Sequence, residues 1–165
     1  MPTGQHSINK DEFRLDTLDD DVRVDELCRQ LLRRFYDRLL KEGLSPADAT
    51  RLANSADYYV RDFVVDRQRR NLFDERPGIV RQFAGNWYII SSLEPEIGQL
   101  ASHLEGVLAF YRYIYREGLI SEAFLREIER ECADRDFYAG RIDSFWAISG
   151  DGYSLWEREC PLKRL

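Results

Sequence analysis

Leu40-Lys41-Glu42-Gly43-Leu44-Ser45 and Tyr115-Arg116-Glu117-Gly118-Leu119-Ile120-Ser121 are two versions of one phrase, and its reading decides the fold. Each spells a helix end followed at once by a helix start. Glycine enters the left-handed region without the steric cost a Cβ imposes, so Gly43 and Gly118 suit the position just past a helix end. The leucine after each can fold back on the last turn, pairing Leu44 with Leu39 and Leu119 with Ile114. Ser45 and Ser121 then offer a hydroxyl to the free N–H groups of the next helix. The phrase predicts two tight helix pairs and an all-α chain.

Apolar residues at three- and four-residue spacing mark the helices around the two phrases. From Asp20 to Glu42 the stripe is Val24, Leu27, Cys28, Leu31, Leu32, Phe35 and Leu39, with Asp20 and Asp21 at the positive end of the helix dipole. The partner helix opens with Ser45, Pro46 at its first position and Asp48 three residues after the cap, and runs to about Gln68 over Leu52, Ala56, Tyr59, Val60, Phe63 and Val64, flanked by Tyr58. Pro77-Gly78 breaks the chain. Ile79, Val80, Phe83, Trp87, Tyr88, Ile89 and Ile90 are dense enough for a short central helix buried on several sides, in which Gly85 permits close packing or a bend. The next helix begins near Ser92 to Pro95 and ends at Glu117, burying Ile97, Leu100, Leu104, Val107, Leu108, Tyr111 and Ile114. After Ser121, Ile120 and Leu125 are placed as a hydrophobic staple, and Phe124, Ile128 and Cys132 continue the stripe. The register shifts around Asp134 to Asp136, which predicts a bend or two helices before Ile142 and Trp146.

The expected architecture is a compact bundle of about five helices, the two pairs plus the short Trp-containing one. Residues 1–19 are polar and aperiodic and read as a flexible or loosely docked arm, 20–149 as the helical domain, and 150–165 as a tail docked through Tyr153, Leu155 and Trp156. At 165 residues, 44% hydrophobic and 13% aromatic, the chain has the composition of a well-packed globule, which excludes global disorder. No apolar run approaches the roughly 18 residues of a membrane span, and the N-terminus lacks the layout of a signal peptide, so a cytoplasmic location is expected.

Cys28, Cys132 and Cys160 are odd in number and widely spaced, so no disulfide framework is expected. Cys28 and Cys132 fall on apolar faces and read as core. Cys160, in the tail, is the candidate reactive thiol. His6 and His103 are the only histidines, too few for a zinc ligand set. No phosphate loop, serine elbow or Cys–His pairing appears, so neither a cofactor, a metal nor a catalytic role is expected.

Gly43-Leu44-Ser45-Pro46-Ala47 leading to Tyr59 and Phe63, and Leu104 through Phe110-Tyr111-Arg112-Tyr113 to Gly118-Leu119-Ile120, resemble the core-binding domain of tyrosine recombinases. The likeness spans roughly Glu42 to Leu119. It implies a SAM-like helical bundle and a surface that clamps DNA. The recombinase His-x-x-Arg is missing, since His103 is followed three places later by Gly106, so strand cleavage by this chain alone is not expected. The chain also resembles stand-alone prokaryotic helical proteins with an Asn-x-x-x-Tyr-Tyr-like helix, here Asn54 to Tyr59, and a Trp-containing central segment, here Trp87.

Two functions follow as expectations. One is a protein-interaction or self-assembly module, with Tyr113 and Tyr115 as candidate contact aromatics. The other is DNA binding through Arg67, Arg69, Arg70, Arg76 and Arg81, which face only Asp66, Asp74 and Glu75 in the same stretch. The basic face of the first helix, Arg29, Arg33, Arg34, Arg38 and Lys41, is interleaved with Glu26 and Asp37 and reads as ordinary surface ion pairing. A formal net charge of −6 favours the interaction module, because phosphate neutralisation supplies most non-specific affinity for DNA.

Overall fold

Both glycine phrases turn as the sequence predicts. Gly43 and Gly118 sit at φ 96° and 75°. Leu44 donates to the Leu39 carbonyl (3.1 Å) and Leu119 to that of Ile114 (2.9 Å), while Gly43 and Gly118 donate to Leu40 and Tyr115, which satisfies carbonyls that a helix end leaves free. The Ser45 and Ser121 hydroxyls accept from the N–H groups of Asp48 and Phe124. The two hinges are neighbours in space and exchange ion pairs: Arg38 meets Glu117 at 3.2 Å and Arg116 meets Glu42 at 2.8 Å.

The computed structural model describes residues 7–162, and among these the chain forms seven helices and no strand. They are α1 (Leu18–Lys41), α2 (Pro46–Asp57, continued by the π-helical stretch Tyr58–Arg67), α3 (Ile79–Gln82, Phe83–Trp87 and Tyr88–Ser91 end to end, the middle piece π-helical), α4 (Ile97–Arg116), α5 (Glu122–Ala133), α6 (Arg135–Trp146) and α7 (Tyr153–Glu159). The expected count of about five is too low for two reasons. The bend or second helix expected around Asp134 to Asp136 is a full break, with Asp134 at ψ 49° between α5 and α6, and the tail folds as a helix of its own around the buried Trp156.

At the centre α2 crosses α4 with almost nothing between them. A Cβ on Gly106 would stand 2.5 Å from the Ser55 Cβ and 2.6 Å from the Leu52 carbonyl oxygen, so only glycine lets the two backbones approach this closely. One turn further along, the Tyr59 and Tyr111 hydroxyls share a fully buried hydrogen bond of 2.7 Å. Burial pushes both phenols up, which keeps them neutral in the core. Phe35 of α1 closes the layer against Phe110 and Tyr113, with ring centres 5.5 and 5.6 Å away.

The two π-helical stretches face one another, and their wider turns seat large rings at this contact. Phe83 meets Tyr58, Tyr59 and Phe63 at 5.1 to 5.9 Å, and Trp87 packs on Tyr58 and Phe63. α3 begins without a side-chain cap of its own. Glu131 of α5 supplies it, accepting from the Gly78 and Arg81 N–H groups at 2.9 and 2.8 Å.

The expected flexible arm is tied down over its described part. Phe13 is buried edge-on to Phe73 (4.8 Å), Asn71 donates to the Lys10 carbonyl, and Arg23 holds the Glu12 and Arg14 carbonyls. Residues 1–6 lie outside the described residues, as do 163–165 of the expected tail. Asp20 fixes the start of α1: it accepts from the backbone of Thr17 and Asp16 and from Arg23, which together hold its carboxyl down to about 2.

Gly106→Ala should overpack the seam, at a cost of about 1–3 kcal/mol. Thermal unfolding would register this as a fall of roughly 2–4 °C per kcal/mol. Asp20→Asn should lower the melting temperature at pH 7. A carboxyl held below its ordinary value of about 3.9 stabilises the fold above that pH. The gap between the two proteins is therefore expected to close as the pH falls from 4 towards 2, and a gap independent of pH would place the effect elsewhere.

Candidate functional site

α7 is too short to hold itself, and three side chains bind it to the body. Trp156 is buried beneath it. Arg141 of α6, itself only 2% exposed, donates from Nε to the Gly85 carbonyl in α3 (2.9 Å) and from Nη1 to the Trp156 carbonyl, with its guanidinium 3.9 Å over the Trp156 ring. The Trp156 indole returns a hydrogen bond to the Arg141 carbonyl at 2.9 Å. Asn86 of α3 is completely buried and donates from Nδ2 to the Cys160 carbonyl at 2.8 Å. A Cβ on Gly85 would lie 2.9 Å from the Cys160 sulfur, so this glycine too marks a close approach.

Between α3 and α7 lies a shallow, open cleft of about 480 Å³. Its walls are Ile90 and Leu162 on the apolar side and Tyr153 and Ser154 on the hydroxyl side. Arg67 and Arg158 line it as cations, and neither has an ion-pair partner among the described residues. Glu157 also borders it, with one carboxylate oxygen accepting the Leu162 N–H at 3.1 Å. Asn86 lines the same cleft, and its Oδ1 accepts no hydrogen bond from the described residues. A buried acceptor left without a donor costs about 1–3 kcal/mol, so a position that keeps one invites a donor from outside.

The arginines singled out in the sequence do not gather into one patch. Arg67 reaches the cleft. Arg69, at φ 54°, turns away to pair with Asp21 of α1 at 2.7 Å. Arg76 pairs with Asp74 (3.4 Å), and Arg81 pairs with Asp134 (3.2 Å) while lying 3.7 Å over the Phe137 ring. Arg70 is half-buried, with its Nε unpartnered. Of the candidate contact aromatics, Tyr115 is 36% exposed, but Tyr113 is buried against Phe35. Cys160 is not the exposed thiol the tail suggested. It is 3% exposed, its Sγ donates to the Arg81 carbonyl, and burial pushes its thiol up, so little thiolate is available to react. Cys28 and Cys132 are core residues, as expected.

The features that sequence reading missed are Asn86, Arg141 and the exposure of Leu93 and Trp146. Leu93 carries a visible signal, a large apolar residue set among the polar and helix-breaking residues Ser91, Ser92, Glu94 and Pro95. Nothing in the spacing marks Arg141 as buried. Among the described residues no three His, Cys, Asp or Glu side chains converge as a metal site requires, and no helix is long and apolar enough to cross a membrane.

No family model, curated protein or solved structure matches this chain. The likeness to recombinase core-binding domains therefore stands on the quoted motifs alone.

Arg141→Met keeps the volume but leaves the Gly85 and Trp156 carbonyls unpaired, at about 1–3 kcal/mol each. Urea unfolding should report a loss of at least about 2 kcal/mol, with faster proteolysis across residues 147–152. An unchanged midpoint would mean that Trp156 and Asn86 hold α7 without Arg141.

Proposed function

We propose that this chain is a non-enzymatic helical module that binds another protein, at the end of the bundle where α3, α6 and α7 meet. The observation that carries this reading is the placement of exposed apolar side chains. Of eight such large residues among the described ones, five fall here: Ile90, Leu93, Trp146, Tyr153 and Leu155. Leu93 is 98% exposed and Trp146 59%. The Trp146 indole donates to the Pro95 carbonyl at 3.3 Å, which puts it beside the Leu93 turn, and Ile90 and Tyr153 share the walls of the cleft. Single exposed apolar residues are ordinary, but a group of them marks a surface that a partner covers, and tryptophan and tyrosine are the side chains that contribute most at such contacts.

A second copy of the chain suits this face less well than a different protein. Glu94, Glu96, Asp143, Asp151 and Glu159 lie on the same segments, and a two-fold contact would bring like charges together. DNA binding through a recombinase-like surface has weaker support. Asp21, Asp74 and Asp134 already neutralise three of the five candidate arginines, on a chain of net charge −6.

Leu93→Ser combined with Trp146→Ser tests the reading. Both side chains are mostly in water, so the melting temperature should move by no more than about 2 °C. A protein that co-purifies with the wild type from its native cells, identified by mass spectrometry, should be lost from the double variant. Equal retention would overturn the reading, as would salt-sensitive binding of duplex DNA by fluorescence anisotropy at near-physiological salt.

A further inference from the structure

The cleft between α3 and α7 has a more specific chemistry than the apolar face around it. Asn86 lines the cleft with a fully buried side chain whose carbonyl oxygen has no partner among the described residues, although its amide nitrogen is committed to Cys160. That oxygen calls for an N–H or O–H donor. Arg67 and Arg158 are cations without carboxylate partners among the described residues, and a guanidinium fork matches the two oxygens of a carboxylate. Tyr153 and Ser154 add hydroxyls that can donate to the same anion, while Ile90 and Leu162 form an apolar wall. Among the described lining residues, Glu157 reduces the positive charge but leaves a surplus of one.

A ligand that answers all of these must carry a carboxylate, an amide N–H close to it and a small apolar group. The carboxyl-terminal residue of a peptide carries all three on one unit. We infer that this cleft captures the free carboxyl terminus of a partner polypeptide ending in an aliphatic residue. The carboxylate lies between Arg67 and Arg158, the last backbone N–H donates to Asn86 Oδ1, and the last side chain rests on Ile90 and Leu162. Recognition of a chain end by convergent donors is a known mode of peptide binding. The inference rests on the reading of the chain as a protein-binding module, and it names the part of the partner that enters the cleft. The exposed apolar residues outside it, Leu93 and Trp146, would cover the segment that precedes that last residue.

The test uses the full chain labelled with 15N and three probes at millimolar concentration: N-acetyl-glycyl-leucine, its C-terminal amide, and sodium acetate. The free acid should shift the Asn86 side-chain amide together with the backbone amides of Ile90 and Ser154. The amidated probe should bind at least about tenfold more weakly, the scale expected when a charge-assisted pair is lost. Arg67→Ala with Arg158→Ala, both on the surface, should weaken the free acid to a similar extent without changing the fold. Asn86→Leu removes the orphan oxygen, and should abolish the preference for the peptide acid over acetate if the variant folds. Equal binding of acid and amide, shifts centred elsewhere, or acetate binding as tightly as the dipeptide would each overturn the inference. The broader reading fails separately: a partner lost from the Leu93/Trp146 variant but kept by the Arg67/Arg158 variant sinks only the carboxyl-terminal assignment.

Discussion

The constraint on which the rest of this structure depends is the absence of a side chain at Gly106. Without a Cβ there, α2 and α4 meet at backbone distance over Ser55 and Leu52, and the buried centre of the bundle is built on that crossing. The buried Tyr59–Tyr111 hydrogen bond needs the two helix axes to be close, since hydroxyls on long side chains must meet head-on at 2.7 Å within the core. The same approach brings the start of the π-helical part of α2 up to α3, where Phe83 and Trp87 fill the space that the wider turns leave. Protein interiors transmit such a constraint because they are close-packed and leave little room for compensating shifts.

The hinges show how local rules and global packing agree. Each glycine phrase closes its own helix pair through backbone hydrogen bonds that depend on nothing outside the phrase. The pairs then present the same chemistry to one another, and the glutamate at each helix end takes the arginine from the other. Individually these exposed ion pairs add little. Their value is in register, because only one alignment of the two pairs satisfies both.

Much of the bundle was legible because it obeys short-range rules. Gly43, Gly118, Ser45 and Ser121 announce helix ends by residue type, and the period of Val24, Cys28, Leu31 and Phe35 announces a buried face. The π-helical stretches were not legible: Tyr58 to Val65 reads equally well at the ordinary period, and the rings of α3 that meet its wider turns come from a distant part of the sequence. The cleft was hidden for a related reason. Asn86, Arg67 and Arg158 lie far apart in the chain, and polar residues at such separations have no periodicity to link them. Arg141 looks like a surface residue in sequence and is buried because Trp156 and Gly85 both reach it. Of the five arginines chosen as a DNA surface, the sequence showed the charges but not Asp21 and Asp134, which approach from other helices.

The attachment of α7 also bears on when the cleft comes into being. The α1–α2 pair carries its own closing signals at Gly43 and Leu44 and can assemble once α2, through Arg67, has emerged during synthesis. The wall formed by Tyr153 and Ser154 has no such autonomy, because it is fastened to α3 through Arg141 and Asn86, which precede it in the chain by many residues. A growing chain therefore completes its hydrophobic centre while this recess is still missing one side. Any recognition that uses the recess is withheld until translation has passed α7, so a partly made copy cannot compete with finished ones for the same partner.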